Sequence, residues 1–312
     1  MAKFMFIDAN NIGYASQYTT KLHVAGREVQ AIFQFMKTMR SLMAAHRGYT
    51  PLIMWDGKAQ HRFDLYPEYK GNRNQNPDQI EAKAKYEEQR PEIKRGLTLL
   101  GVRQLTVSNL EADDLAGYLS KKTTDDGNEV LLISGDKDWI QLVNDKCVWH
   151  DPKLDQTVTS DNFAEKTGFV GPAQYVEGKA LMGDSSDNIQ GVGGIGEKGA
   201  IDFLMEHGSV REFLGKAKRN ELDEKIPSSH QRFLDNKPFV YRKKEYQPMA
   251  KSFVRNVKLM DLRNVAKPCP DLTESISARL DEEKFKDFAA ELAFNSILKT
   301  FDVWVTPFRR TI

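Results

Sequence analysis

The sequence predicts an α/β fold in which a mostly parallel sheet carries helices on both faces. Short apolar runs that begin at Phe4, Leu52 and Val130 have the length and composition of buried strands. Helical patterns, such as the stretch from Val29 to Ala45, alternate with these runs. This alternation is typical of parallel strands joined by helical crossovers. After about residue 160 the pattern changes to short helices and Gly-rich turns, which predicts a second, helical region.

Acidic residues follow each of these strand candidates. Asp8 closes the first run, Asp56 follows the second, and Asp136 and Asp138 follow the third. In open α/β sheets the ligand crevice lies beyond the carboxyl ends of the strands, so we expect these carboxylates to meet there.

Two further segments add acids. Glu111–Asp114 predicts the start of a helix, with Ser108 in the spacing of a capping box, but three acids in four residues exceed what capping needs. Asp184 and Asp187 have the three-residue spacing that would place both on one side of a helical turn.

So many converging carboxylates predict a metal site. Like charges at short range raise one another's pKa and oppose folding unless cations neutralise them. Oxygen ligands favour Mg²⁺ or Mn²⁺ over zinc, the six histidines are scattered along the chain, and the pattern of an EF-hand loop is absent. The candidate ligands are Asp8, Asp56, Glu111, Asp113, Asp114, Asp136, Asp138, Asp184 and Asp187.

Composition bounds the class of protein. The 312 residues, 40% hydrophobic and 29% charged, include no apolar stretch near the ~18 residues that span a bilayer. The sequence opens in a strand pattern without the basic and apolar regions of a signal peptide. We expect Cys147 and Cys269 to be free thiols of a cytoplasmic protein, with a disulfide as the lesser alternative. The net charge is +1, yet setting aside the nine candidate ligands leaves 35 acidic residues against 45 basic ones. That surface would attract phosphate, unless its charges are simply mixed and solvated.

Two polar stretches predict contacts with nucleic acid. The stretch from Gln60 to about Arg95 is strongly charged, and Lys83 lies in a section that predicts an exposed helix, either an arm over a polyanion or a solvated helix. Tyr66–Arg73 combines aromatic rings able to stack on bases with cations able to hold phosphate, although an ordinary surface loop would have the same composition.

A Gly-rich turn spans Gly191–Gly196. It matches the dinucleotide fingerprint G-x-G-x-x-G, but that fingerprint should follow a strand of the sheet, and this one follows an acid-bearing segment that predicts a helix. A turn that opens a helix at Glu197 and Lys198 can still hold a phosphate on its backbone N–H groups. We expect that phosphate to belong to a nucleic-acid backbone; a tight turn between helices is the alternative.

Together these motifs resemble the structure-specific 5′ nucleases, a family that includes flap endonucleases, the 5′ nuclease domain of bacterial DNA polymerase I, and freestanding phage 5′→3′ exonucleases. The resemblance spans residues 3 to about 300. The matching segments are Phe6–Asp8, Trp55–Lys58, Tyr66–Arg73, Glu111–Asp114, Ile133–Asp138, and Ala180–Asn188 running into Gly191–Gly199.

The resemblance implies a PIN-like nuclease core over residues 1–160, with a helical arch at about 60–95, and a helix-three-turn-helix region that grips duplex DNA within residues 161–312. It implies phosphodiester hydrolysis with two or more Mg²⁺ or Mn²⁺ ions, and K⁺ as a candidate ion at the Gly-rich turn. Asp56, Glu111 and Asp113 would surround one dication, and Asp136, Asp138 and Asp187 another. The implied catalytic residues are Lys70, Arg73, Asp136 and Asp138, and the implied DNA contacts are Tyr69, Lys83, Gly191, Gly193, Gly194, Gly196 and Lys198.

The expected partner is DNA with 5′ flaps, nicks or free 5′ ends, with an RNA–DNA hybrid as a further candidate, bound by a freestanding monomer of phage or bacterial origin. Gln190 and Gly193-Gly194 stand where the family often has Pro, and the sequence diverges from the family after Arg73. Two alternatives remain at this point. One is a ribonuclease, and the other is a non-catalytic DNA-binding relative, which would be expected to have lost several of the acids.

Overall fold

A computed structural model describes residues 1–73 and 76–310. The strands are β1 Lys3–Asp8, β2 His23–Val24, β3 Arg27–Glu28, β4 Thr50–Trp55, β5 Arg103–Val107, β6 Glu129–Ile133, β7 Cys147–Asp151, β8 Gln156–Val158, β9 Gly183–Asp184, β10 Ile189–Gln190, β11 Phe239–Tyr241, β12 Lys244–Tyr246 and β13 Thr273–Ile276.

The helices are α1 Ala9–Gln17, α2 Gln30–Ala45, α3 Gln60–Leu65, α4 Pro77–Leu99, α5 Ala112–Asp125, α6 Phe163–Thr167, α7 Pro172–Met182, α8 Glu197–His207, α9 Val210–Lys218, α10 Ser228–Asp235, α11 Met249–Met260, α12 Glu282–Glu291, α13 Asn295–Leu298 and α14 Phe301–Val305. Short 3₁₀ helices lie at Lys137–Leu142, Leu262–Asn264, Pro270–Leu272 and Phe308–Arg310. None of the helices in the described part of the chain is long and apolar enough to cross a membrane.

The central sheet has seven strands in the order β13-β5-β4-β1-β6-β7-β8. Strands β5, β4, β1, β6 and β7 run parallel to one another, whereas β13 and β8 pair antiparallel with β5 and β7 at the two edges. The predicted mostly parallel α/β sheet is therefore confirmed. In register, Asp8 at the end of β1 faces Met54 of β4, and Ile7 faces Ile133 at the end of β6, so all three strands finish at one edge.

Alternate residues of the central strands enter two different cores. Met5 and Ile7 belong to a core shared with α1, α2, α4 and the C-terminal helices, whereas Phe6 belongs to a core shared with α5 to α11. Likewise, Leu131 belongs to the first of these cores and Leu132 to the second. Because successive strand residues point to opposite faces, apolar runs without alternation require cover on both faces, which the two helical layers supply.

The C-terminal part of the chain returns to the N-terminal core, and the division of the chain at about residue 160 stays a prediction. Strand β13 pairs with β5, and Phe285, Phe288 and Trp304 pack in the same core as Ile7. These large side chains need a deep apolar surface, and the face of the sheet beside α2 and α4 provides it. Within residues 161–312, α7 to α11 therefore pack in the second core, whereas the C-terminal helices pack in the first.

The stretch predicted as an arch contains α3 and α4. The first two turns of α4 are exposed, but Tyr86, Ile93 and Leu97 are buried against α1 and α2, so the second half of α4 belongs to the core. The prediction of an exposed helix in this stretch is therefore wrong for the part after residue 85. An arch over the acids stays a prediction, because residues 74 and 75 lie outside the described range.

Candidate metal centre and nucleic-acid interface

The carboxylates that follow the strands lie at the carboxyl edge of the sheet. Asp8 is the last residue of β1 and the N-cap of α1, where it accepts a hydrogen bond from the Asn11 backbone N–H at 3.0 Å and from Ser134 Oγ at 2.8 Å. Asp56, one residue past β4, accepts from the Ala112 backbone N–H at 2.8 Å. Burial, together with the charge of Asp56, raises the pKa of Asp8 to about 7.

Glu111 is the N-cap of α5 and faces two cations. Lys70 Nζ lies 2.5 Å from Glu111 Oε1, and Arg62 Nη1 lies 3.3 Å from its other oxygen. Burial alone would raise the pKa of Glu111, but these cations hold it below its usual value. The capping box of α5 uses Glu111 with Asp114, so the prediction that Ser108 begins it is wrong by three residues.

Asp114 is directed at a buried arginine. Its two oxygens accept hydrogen bonds from Arg62 at 2.6 and 2.8 Å, and one of them also accepts from the Glu111 backbone N–H at 3.0 Å. Both side chains are almost fully buried, and Arg62 Nε donates to the carbonyl of Leu259. Because these bonds occupy the carboxylate, we remove Asp114 from the direct metal ligands and assign it to positioning α3 against α5.

Asp113 points to the opposite side of the α5 N-terminus. It accepts a hydrogen bond from the indole of Trp139 at 2.7 Å. Burial and the neighbouring carboxylates of Asp136 and Asp8 raise the pKa of Asp113 well above its usual value. This carboxylate therefore lies in the acidic cluster and lacks a compensating cation among the contacts the structure describes.

Asp136 is the N-cap of the 3₁₀ helix that follows β6, and Asp138 lies in its first turn. The Asp138 backbone N–H donates to the Asp136 carboxylate at 2.8 Å. Burial raises the pKa of Asp136 to about 6 and also raises that of Asp138. Lys179 Nζ lies 2.9 Å from Asp138 and 3.3 Å from Asp184. Although burial alone would lower the pKa of Lys179, these two acids raise it, so the ammonium stays charged.

Asp184 and Asp187 lie on a β-hairpin, not on the predicted helical turn. Strands β9 and β10 pair with Asp184 opposite Ile189, and Asp187 lies in the connecting turn. Asp184 accepts from the backbone N–H and hydroxyl of Ser186, which, with Lys179, hold its pKa below the usual range despite burial. The hairpin still delivers both acids to the cluster.

Lys70 and Arg73 reach the cluster from the loop after α3. Lys70 has a left-handed backbone, with φ of 58°, and its N–H donates to the Asp187 carbonyl at 2.8 Å. Arg73 donates to the Asp187 carboxylate. These contacts fix the loop to the β9–β10 hairpin and place both cations among the acids.

Tyr69 is buried, so the prediction that its ring stacks on a base is wrong. Only 3% of the residue is exposed, and its ring packs edge-on against Phe63 at 5.4 Å. Its hydroxyl lies 3.0 Å from both Glu111 and Asp187 and donates to one of them. Tyr69 instead positions two carboxylates.

The donor set fits hard dications. All candidate ligand atoms are carboxylate oxygens, and four of these acids have raised pKa values because burial and neighbouring carboxylates disfavour the ionised form. Lys70 lies between Glu111 and Asp187, and Lys179 lies between Asp138 and Asp184. The entry of dications would require these ammonium groups to leave their present partners. Sequence reasoning missed Lys179 and Arg62, because nothing in their linear setting distinguishes them from surface cations.

The Gly-rich turn lies between β10 and α8. Gly193 and Gly194 have left-handed φ angles of 99° and 78°, and the space beside Gly193 is closed by the rings of Phe239 and Tyr246. Helix α8 begins after Gly196 without a side-chain cap, and Gly194, Gly196 and Lys198 are exposed. The helix N-terminus therefore offers free N–H groups to an anion. Lys83 is exposed on α4, and its role as a DNA contact stays a prediction.

The sequence matches two family descriptions in succession. Residues 3–168 match the 5′-3′ exonuclease N-terminal resolvase-like domain, and residues 170–264 match the 5′-3′ exonuclease C-terminal SAM fold. The thermostable DNA polymerase I of Thermus filiformis is 32% identical over 96% of this chain and 33% of its own length. DNA polymerase I of Streptococcus pneumoniae serotype 4 is 35% identical over 67% of this chain and 24% of its own. The chain thus spans about a quarter to a third of these curated relatives.

Solved structures show the same fold. The bacteriophage T5 flap endonuclease in a complex with DNA and metal ions has a TM-score of 0.66 at 21% identity and covers 99% of this chain and 98% of its own. Flap endonuclease-1 from Methanococcus jannaschii has a TM-score of 0.61 at 16% identity and covers 100% of this chain and 94% of its own. With both domain matches in place, the chain belongs to the 5′-3′ exonuclease family.

Proposed function

We propose that this protein hydrolyses DNA phosphodiester bonds at 5′ flaps, nicks and free 5′ ends, as a Mg²⁺-dependent 5′→3′ exonuclease and flap endonuclease in replication or primer removal. The observation that carries the proposal is the convergence of buried acids with raised pKa values at the carboxyl ends of β1 and β6, beside Lys70 and Arg73. The match to the 5′-3′ exonuclease family supports the proposal, as does the similarity to DNA polymerase I and to flap endonuclease-1.

The residues divide into three groups by their contacts. Glu111 and Asp187 share Tyr69 and Lys70, Asp138 and Asp184 share Lys179, and Asp8, Asp56, Asp113 and Asp136 lie together at the strand ends. These eight carboxylates would hold two or more Mg²⁺ or Mn²⁺ ions. Bound dications in such a site lower the pKa of a coordinated water and neutralise charge on the leaving 3′ oxygen.

The side-chain cations of Lys70 and Arg73 would act on the substrate. A scissile phosphate that entered beside Glu111 would offer Lys70 and Arg73 a new anionic partner, and their charges would stabilise the phosphodiester as negative charge develops on it. Both side chains already lie at the cluster, so little reorganisation is needed. The free N–H groups after Gly196 would hold the phosphate backbone of the adjoining duplex. K⁺ is a candidate ion at this Gly-rich turn.

A substrate panel tests the proposal. Matched 5′-flap DNA, nicked duplex, single-stranded DNA and RNA–DNA hybrid are digested by the monomeric protein in Mg²⁺, in Mn²⁺ and in chelator, each with K⁺ or Na⁺. We expect Mg²⁺-dependent cleavage of the flap and release of short products from 5′ ends. Cleavage restricted to RNA would support a ribonuclease, and DNA binding without cleavage in either dication would support a non-catalytic relative.

A further inference from the structure

A second group of metal-ligand side chains lies away from the acidic cluster. His207 ends α8, His230 lies on α10, and Glu206 precedes His207. One ligand atom from each of these residues lies within 4.8 Å of the other two. The Gly-rich turn is at the opposite end of α8, about 16 Å away for an 11-residue helix.

Each of the two imidazoles has a buried ring nitrogen without a hydrogen-bond partner. His207 and His230 are 4% and 5% exposed, and neither Nε2 of His207 nor Nδ1 of His230 has a hydrogen-bond partner. A buried polar atom without a partner is costly, and native proteins rarely keep two side by side. We therefore expect a lone-pair acceptor, such as a metal ion, or a bridging molecule between the two rings.

The surroundings suit a transition metal better than a second hard cation. The rings of Phe203 and Phe213 lie 4.8–5.6 Å from both imidazoles, which gives the site an apolar shell. Burial lowers the pKa of both histidines, so each is neutral and its lone pair is available. Imidazole nitrogens bind Zn²⁺ and related first-row transition-metal ions in preference to Mg²⁺.

The separation of two of the ligand atoms matches that in a tetrahedral site. Glu206 Oε1 lies 3.4 Å from His207 Nε2. Bonds of about 2.0–2.1 Å in a tetrahedron place neighbouring ligand atoms about 3.4 Å apart. The Glu206 side chain is 53% exposed, so water can complete the coordination from the solvent side.

We propose that Glu206, His207 and His230 form a binding site for a single Zn²⁺ ion that ties the end of α8 to α10. Such a clip closes the segment that contains α9 and so offsets part of its conformational entropy. It would steady the helix that begins at the Gly-rich turn. The site is separate from the nuclease centre, so the two proposals succeed or fail independently.

Zinc binding in excess Mg²⁺ tests this site, because Mg²⁺ saturates the carboxylates and does not compete for imidazole. The protein is stripped with chelator, returned to Mg²⁺, and titrated with Zn²⁺ against a chromophoric chelator; Co²⁺ in a parallel titration reports tetrahedral coordination by its visible absorption. We expect one equivalent of Zn²⁺ and a rise in melting temperature for the unaltered protein.

Three substitutions and one control locate the ion. His207→Gln and His230→Gln should each weaken Zn²⁺ binding at least about 100-fold, and Glu206→Gln about 10-fold. His150→Gln is the matched control: His150 also lies beside another histidine, His46, at 5.8 Å, but its Nδ1 is hydrogen-bonded to Thr157, so binding should not change.

Two results would overturn the site. One is the absence of Zn²⁺ binding by the unaltered protein at micromolar concentration, which would leave a water-bridged histidine pair. The other is unchanged binding by the variants. If the histidine variants fail to fold, Glu206→Gln decides the matter, because its side chain is half exposed and its replacement leaves the core intact.

Discussion

Lys179 Nζ lies 2.9 Å from Asp138 Oδ1, within the cluster of acids at the edge of the sheet. The same ammonium lies 3.3 Å from Asp184. A side-chain cation thus holds two carboxylates that we assign to dications. A lysine and a metal ion that share ligands must compete for them.

Lys179→Ala should destabilise the metal-free protein and tighten its binding of Mg²⁺. The loss should be about 2 kcal/mol, less than the 3–5 kcal/mol of a fully buried pair, because these side chains are 16–21% exposed. Urea unfolding in chelator and calorimetric titration with Mg²⁺ measure the two effects. Lys121→Ala, which removes a surface pair with Asp125, should change neither. Weaker Mg²⁺ binding by Lys179→Ala would show that the lysine organises the ligands and does not compete with the ion.

Tyr69→Ala should lower stability by about 3 kcal/mol, because it empties a buried aromatic site. Tyr69→Phe keeps the ring and loses only one hydrogen bond to a carboxylate, so it should cost about 1 kcal/mol. Urea unfolding and DNA binding measured on both variants separate packing from stacking. A Tyr69→Ala protein of normal stability that binds DNA weakly would restore the stacking role.

Gly193→Ala should lower stability, whereas Gly196→Ala should weaken duplex binding. An added Cβ at Gly193 would lie 2.6 Å from Phe239 in a backbone with φ of 99°, so this variant should lose about 1–3 kcal/mol of stability. At Gly196 the φ is −94° and no atom lies within 4 Å of the added Cβ, so stability should be normal while duplex binding weakens. Gly171→Ala is the matched control, since Gly171 also precedes a helix and has open space beside it. Duplex binding by Gly196→Ala equal to that of Gly171→Ala would remove the phosphate contact.

Bound metal should remove the pH dependence of stability that the acidic cluster causes. Burial and the charge of Asp56 raise the pKa of Asp8 from 3.8 to about 7, so the folded state retains a proton that the unfolded state has lost. In chelator, stability should therefore fall as pH rises from about 5 to 7, by on the order of 2 kcal/mol from this group. Mg²⁺ should abolish the slope, because it favours the ionised carboxylate.

Asp8→Asn supplies the control for that experiment. The amide cannot ionise, so the variant should show a shallower fall in chelator between pH 5 and 7. The cluster acids with raised pKa that remain, Asp113, Asp136 and Asp138, keep part of the slope. A metal-free protein whose stability rises across this window would contradict the crowding of like charges that we describe.

Local patterns predicted the parallel sheet and the carboxyl-end positions of its acids, because strand runs such as Phe4–Ile7 and the acids that follow them are adjacent in sequence. Pairings between distant segments were not predictable in this way. Asp114 meets Arg62 across 52 positions, and β13 joins β5 from the far end of the chain. The scattered histidines give no linear signal, yet the fold brings His207 and His230 together.

Cleavage of a 5′-flap duplex by the Asp136→Asn, Asp138→Asn double variant tests the central claim most directly. Both carboxylates lie in the cluster and the substitutions preserve their shape, so the variant should bind the duplex normally in Mg²⁺. We predict that it leaves the flap uncut under conditions in which the unaltered protein cuts it and chelator stops the reaction. Cleavage by the double variant at the normal rate would contradict the assignment of this acidic edge as a metal-dependent nuclease centre.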